Sequence, residues 1–167
     1  EIGVKDDRVK NCMIVGGGTI AYYLALQLLN MHIRVTIIDK SRERCEMLAE
    51  TLPGATIICG DGTDKKLLLD EGLEQTEAFV SLTNMDEENI LVTLYAKERS
   101  KAKLVTKVTR LSFDNLITKL DLGSVIYPKD ITADYILRYA RAMQNTIGSN
   151  VETLYHILDN KAEALEF

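Results

Sequence analysis

The stretch Met13-Ile14-Val15-Gly16-Gly17-Gly18-Thr19-Ile20-Ala21 constrains this chain more than any other feature. An apolar strand runs into a glycine turn, and the turn runs into a helix. A second apolar segment ends in Ile37-Ile38-Asp39, with the acid 21 residues after Gly18. Strand, turn, helix, strand and acid in that order make the dinucleotide-binding fingerprint, here with alanine in the third glycine slot.

The rest of the chain extends the same pattern. Short apolar segments are expected as strands at 11–15, 34–38, 55–59, 78–82, 104–108 and 125–127. Their near-continuous apolar character fits strands buried on both faces of a parallel sheet. Helical patterns fill the intervals at 20–31, 42–52, 66–72, 87–99 and 114–122. The first carries a stripe of Leu24, Leu28 and Met31; the second carries Cys45, Leu48 and Leu52. Ser41, Asn84 and Ser112 read as helix caps, and Asp86, Glu87 and Glu88 suit the positive end of a helix dipole. The alternation predicts an α/β Rossmann-like doubly wound parallel sheet in the order 3-2-1-4-5-6, with helices on both faces.

After Pro128 the pattern changes. Asp130 reads as the cap of a long helix over 131–145, whose apolar and aromatic positions (Ile131, Tyr135, Ile136, Tyr139, Ala142, Met143) are broad. That face either covers the sixth strand or docks onto another subunit. Alternating residues around Asp159-Asn160-Lys161 predict a hairpin, and two strands alone are marginal in water. The expected organisation is a linker at 1–9, a nucleotide-binding domain at 10–128, a crossover or assembly helix at 129–147, and a hairpin at 148–167 that begins a further lobe. The linker-like opening reads as the start of a piece of a longer protein.

Each fingerprint position has a physical task. Gly16 makes the tight turn, Gly18 lets the backbone approach a pyrophosphate, and Ala21 lets helix and strand pack closely. The N–H groups of Thr19 and Ile20 face the phosphates from the positive end of the helix. Asp39 can take both hydroxyls of an adenosine ribose and repels a 2′-phosphate, which favours NAD(H) or an adenine mononucleotide over NADP(H). Lys40 either softens that preference or is a surface charge. Asp61, in Gly60-Asp61-Gly62-Thr63 after the third strand, either accepts from the adenine amino group or caps a turn. Gly62, Thr83 and Asn84 lie at strand ends where ligands of open sheets bind. Arg110, past the fifth strand, is either a phosphate contact or a solvated arginine. His32 reads as a polar helix-end residue and His156 as a hairpin-face residue.

The bulk numbers set limits. At 167 residues the chain can build one domain with a real core and a small appendage. Its net charge of −5 argues against a nucleic-acid surface. No apolar run approaches the roughly 18 residues of a membrane span. Three cysteines, Cys12, Cys45 and Cys59, are an odd number without metal-ligand spacing. They read as reduced thiols of a cytosolic protein, with Cys12 and Cys59 in buried strands.

Four segments carry a resemblance: MIVGGGTIA (13–21), IICGDGTD (57–64), AFVSLTNMDEENI (78–90) and GSVIYPKDITA (123–133). Together they resemble the regulator-of-potassium-conductance (RCK, KTN or TrkA N-terminal-type) domain family, over about residues 9–147. Within it, the regulatory subunits of bacterial Trk-type potassium uptake are the most similar. Such subunits carry two domains in tandem, and the opening of this chain resembles the second. The resemblance implies a non-enzymatic sensor that binds NAD(H), ATP or ADP. It implies a homo-oligomeric dimer or ring and a membrane potassium channel subunit as partner. It also implies a cytoplasmic location at the inner face of the membrane, without direct insertion. Carried over residue by residue, its site is Gly16, Gly18, Thr19, Ile20, Asp39, Lys40, Asp61, Gly62, Thr83, Asn84 and Arg110. Where Thr19 stands some relatives have an arginine that reaches a neighbour's terminal phosphate, which leaves triphosphate discrimination in doubt. Where Lys129 stands some have a carboxylate at a divalent-ion site, so no metal is expected. Two readings compete: an NAD-dependent oxidoreductase, and a nucleotide-free assembly scaffold.

Overall fold

The computed structural model describes residues 8–110, 117, 119–145, 153–157 and 162–166. It forms two compact units, Glu1–Ile126 and Tyr127–Phe167.

In the first unit six parallel strands form one sheet: β1 (Asn11–Val15), β2 (Arg34–Asp39), β3 (Thr56–Cys59), β4 (Ala78–Ser81), β5 (Lys103–Lys107) and β6 (Ser124–Ile126). Their order is β3-β2-β1-β4-β5-β6, as the sequence predicts. The connecting helices are α1 (Thr19–Asn30), α2 (Arg42–Thr51), α3 (Lys65–Asp70) and α4 (Asp86–Arg99), with a 3₁₀ turn at Leu73–Gln75. Of the expected 114–122 helix, residues 114–116 and 118, with the Ser112 cap, lie outside the described residues; Ile117 is helical, whereas Lys119 and Leu120 stand in a turn and bend and Asp121 and Leu122 in irregular chain, so the helix does not reach 122.

Side chains of a strand alternate between faces, so β1 feeds two cores at once. Cys12 and Ile14 pack with Ala21, Ala25, Ile37, Leu48 and Leu52 on one side. Met13 and Val15 pack with Ile38, Leu68, Phe79 and Val92 on the other. Phe79 is fully buried, and burying a side chain of that kind contributes about 1.5–3 kcal/mol. This two-sided burial holds for the central strands. β3 is an edge strand with only intermediate or exposed positions, and Cys59 is exposed rather than buried as expected. In α1 the buried positions are Ala21 and Ala25; Leu24 and Leu28 are half-buried and Met31 is exposed, so the expected leucine stripe is not the innermost one. Close packing of α1 on β1 selects the small residues. His32 ends this helix in the left-handed region at φ 61°.

Two expected caps are displaced. The N-cap of α4 is Met85, not Asn84, because Thr83 Oγ1 accepts from Met85 N (3.2 Å) and fixes the turn one residue later. The long helix α5 spans Pro128–Asn145, so Asp130 stands in its first turn rather than at its cap. Proline suits a first helical position because its missing N–H would have had no helical partner. Ser41 does cap α2, accepting from Arg44 N at 3.3 Å. In the second unit β7 (Thr153–Ile157) and β8 (Ala162–Glu166) pair antiparallel, forming the expected hairpin. No helix among the described residues is long and apolar enough to cross a membrane.

A buried hydroxyl chain ties α4 to the sheet. Thr93 Oγ1 lies 2.9 Å from Ser81 Oγ on β4 and accepts from Thr106 Oγ1 on β5 at 3.0 Å. All three residues are fully buried. Thr93→Val strips the buried Ser81 hydroxyl of its partner, while Thr106 Oγ1 keeps Leu122 O at 3.2 Å, and should cost about 1–3 kcal/mol of stability, read from urea denaturation.

Candidate functional site

The chain leaves β1 toward β2 on one side of the sheet, while β4 pairs with β1 on the other. That reversal opens a cleft at the carboxyl ends of β1 and β4, where open α/β sheets bind ligands. Gly16 and Leu82 follow those strands directly, and Leu82 N donates to Val15 O at 2.7 Å. Gly16 has φ +98°, and a Cβ there would stand 2.7 Å from Leu82 C and Thr83 N. Only glycine allows the two strand ends to approach so closely. The Gly60–Gly62 loop approaches from the β3 side, where a Cβ on Gly62 would fall 2.2 Å from Val15 Cγ1. At Gly18, by contrast, a Cβ would meet nothing within 4 Å, so this residue faces open space at the start of α1.

The cleft encloses about 390 Å³, within the range of small-molecule sites. Eight of the sequence-predicted residues line it: Gly16, Gly18, Asp39, Lys40, Asp61, Gly62, Thr83 and Asn84. Val15, Leu82 and Met85 add apolar wall, and Ser41, Arg44, Thr63 and Glu88 add polar groups. Thr19 and Ile20 stand outside this lining, at the exposed start of α1, and the Ile20 side chain lines a separate apolar groove. The Arg110 side chain does not line the cleft either; its backbone N–H donates to Asp86 Oδ2 at 2.8 Å.

Asp39 sits at the centre. Its Oδ2 accepts from Gly17 N at 2.6 Å and its Oδ1 from Ser41 N at 2.8 Å. An ionised carboxylate offers about four acceptor positions, so two remain for hydroxyls of a ligand. Arg44 donates from Nε to Gly17 O at 2.5 Å, which closes a ring of contacts through the glycine loop, Asp39 and the first turn of α2. The start of α1 has Gly18 as N-cap, with no side-chain cap and no acid in the first turn. Its N–H dipoles are therefore open to an anion. The helices α2 and α3 are capped by Ser41 and Asp64 instead.

Asp61 Oδ1 accepts from Thr63 N (2.8 Å) and Thr63 Oγ1 (2.7 Å). These bonds, with a smaller contribution from the Lys40 charge, hold its carboxyl below the usual range. Beneath the opposite wall, fully buried Asn89 accepts from Thr83 N at 2.8 Å and donates to Thr83 O and Lys107 O. Lys107, 8% exposed, donates from Nζ to Leu82 O at 3.2 Å. Burial lowers its pKa, while the nearby Asp86 favours its charged form.

Comparison with known proteins agrees with this geometry. The sequence model of the TrkA-N domain matches residues 12–128. The chain belongs to the TrkA-N domain family. It is 34% identical over 157 residues to the Trk system potassium uptake protein TrkA of Haemophilus influenzae, covering 94% of this chain and 33% of that protein. A TrkA homologue of Methanosarcina mazei is 29% identical over 167 residues, covering 99% and 39%. The chain thus spans about a third of the length of the curated relatives it matches. The TrkA-N domain of the Escherichia coli inner membrane protein ybaL superposes with a TM-score of 0.68 at 20% identity, over 78% of this chain and 96% of that one. The GsuK channel bound to NAD superposes with a TM-score of 0.69 at 18% identity, over 92% and 26%.

Sequence reasoning read Ser41 and Glu88 only as helix-end residues and passed over Gly17, Arg44 and Asn89. A signal existed for Arg44: it is the third residue after the Ser41 cap, on the turn of α2 that faces the cleft. Asn89 carried a weaker one: it lies six residues after Thr83, whose N–H and C=O it bonds, while its third bond, to Lys107 O, forms only when β5 lies beside β4. Asn89→Ala should cost about 1–3 kcal/mol and speed hydrogen exchange at the Thr83 amide well beyond that of the β1 amides.

Proposed function

We propose that this chain is a nucleotide-sensing regulatory domain of a potassium uptake system, binding NAD(H) or an adenine nucleotide such as ATP, ADP or AMP. The observation that carries the reading is Asp39, held against the glycine loop across a cleft that borders the uncapped start of α1. In this arrangement the phosphates rest on the N–H groups of Thr19 and Ile20, and Asp39 takes the ribose. Lys40 and Arg44 supply cationic charge at the same end. Asp61, beside Gly62, accepts from the adenine amino group, Thr83 and Asn84 border the phosphates and ribose, and Arg110 is a candidate phosphate contact. The Trk potassium uptake relatives and the NAD-bound GsuK channel support the ligand class and the transport setting.

The reading is non-enzymatic. No histidine, cysteine or tyrosine lines the cleft among the described residues, so the proton-moving groups that dehydrogenases commonly use are missing from it. Regulation by population shift then requires that nucleotide bind one assembly state better than another. The surface for assembly is α5, which exposes Ile131, Tyr135, Ile136, Tyr139 and Met143. An exposed apolar surface of this breadth marks an interaction site. A homo-oligomer, with a membrane potassium channel subunit as partner and a cytoplasmic position beneath it, follows from that reading.

Asp39→Ala should weaken NADH binding at least tenfold in calorimetry; unchanged affinity refutes the placement of the ribose. NADH should also raise the melting temperature of the wild-type chain, because a ligand bound only by the folded state stabilises it. Sedimentation at high micromolar concentration should show a dimer or larger species, and a monomer would contradict assembly through α5.

A further inference from the structure

Cys45 and Cys59 are adjacent, and neither belongs to the cleft lining. Cys45 opens the second turn of α2 directly after Arg44, and it is buried. Its Sγ donates to Asp39 O at 3.2 Å and reaches Ile58 O at 3.7 Å. It therefore sits between the carboxyl ends of β2 and β3. Cys59 is the last residue of β3 and pairs in register with Asp39. By strand alternation its side chain stands on the same face as that of Asp39, the face on which Cys45 Sγ meets Asp39 O and Ile58 O. The two cysteines differ in access: Cys59 is exposed and Cys45 is not. Burial first, then the Cys59 thiol, push Cys45 up to about 11, so it stays protonated and unreactive until its neighbour is oxidised.

We propose that Cys45 and Cys59 form a reversible disulfide, a modification site for peroxides that reports on the adjoining cleft. The Cys59 thiolate attacks the O–O bond of the peroxide; an S–O bond forms and the O–O bond breaks. Hydroxide leaves and is protonated to water. Cys45 sulfur then attacks the sulfenic sulfur of Cys59. An S–S bond forms, the S–O bond breaks, and the departing hydroxide takes the Cys45 proton as a second water. Two thiols are oxidised, one peroxide is reduced, and an external thiol reverses the step.

The site is coupled to the cleft by its position. Gly60 and Asp61 follow Cys59, Arg44 precedes Cys45, and Asp39 O accepts from both Cys45 Sγ and Gly60 N, the residue after Cys59. A covalent bond is shorter than the contact it replaces, so oxidation draws the start of α2 toward the β3 loop. It also removes the S–H donor from Asp39 O. Both changes disturb Asp39, Ser41 and Arg44, and nucleotide affinity should fall. That consequence rests on the proposed function; the disulfide itself does not.

Treating the reduced chain with hydrogen peroxide should give a Cys45–Cys59 cross-linked peptide on non-reducing mass mapping, lighter by two hydrogens and restored by dithiothreitol. Cys12, 3% exposed, should remain a thiol. NADH affinity should drop several-fold on oxidation of the wild type and stay constant in Cys59→Ser. Over-oxidation of Cys59 without a cross-link overturns the disulfide. A cross-link with unchanged NADH affinity overturns the coupling. If NADH binds neither form, the coupling falls together with the nucleotide reading, and the cross-linked peptide alone decides the disulfide.

Discussion

One carboxylate holds the functional end of this domain together. Asp39 accepts the N–H of Gly17 from the loop after β1 and the N–H of Ser41 from the start of α2. Each bond satisfies a backbone donor that would otherwise need water in a partly enclosed cleft. Charge-assisted bonds of this type are among the stronger ones a protein makes. Through Arg44, which donates back to Gly17 O, the same carboxylate is linked to a second fixed point on α2. The loops that define the cleft are therefore positioned by side chains of β2 and α2 rather than by their own sequences alone.

The other wall follows a different logic. There the Thr83 backbone is held by a neutral amide, Asn89, reaching up from α4, and α4 is in turn pinned by the Ser81–Thr93–Thr106 hydroxyl chain. Amides and hydroxyls give direction there at a small desolvation cost, and the ammonium of buried Lys107 reaches Leu82 O beside them. The cleft thus lies between a brace built on one carboxylate and one built mostly on neutral groups.

Much of this was legible beforehand. The central strands, their order and the glycine loop follow from apolar runs, helix-length intervals and the Gly16–Ala21 spacing, all of which are local. What escaped is mostly non-local. Ala21 and Ala25, not the leucines, face the sheet because α1 packs too closely for larger residues. Cys59 reads as buried from its apolar neighbours, yet an edge strand exposes it. Asn84 looks like a cap, but Thr83 bonds first. At the site, glycines and the acid announce themselves by type and spacing. Arg44 matters through Gly17, 27 residues away, and Asn89 partly through Lys107 O, contacts that no single segment displays.

Lys107 has a wider effect than its single hydrogen bond to Leu82 O implies. A lysine 8% exposed is shielded from mobile ions, so its field is attenuated far less by added salt than that of a surface charge. Lying under the strand end that forms one rim of the cleft, it ties β5 to the residue that follows β4 by a bond that added electrolyte loosens little.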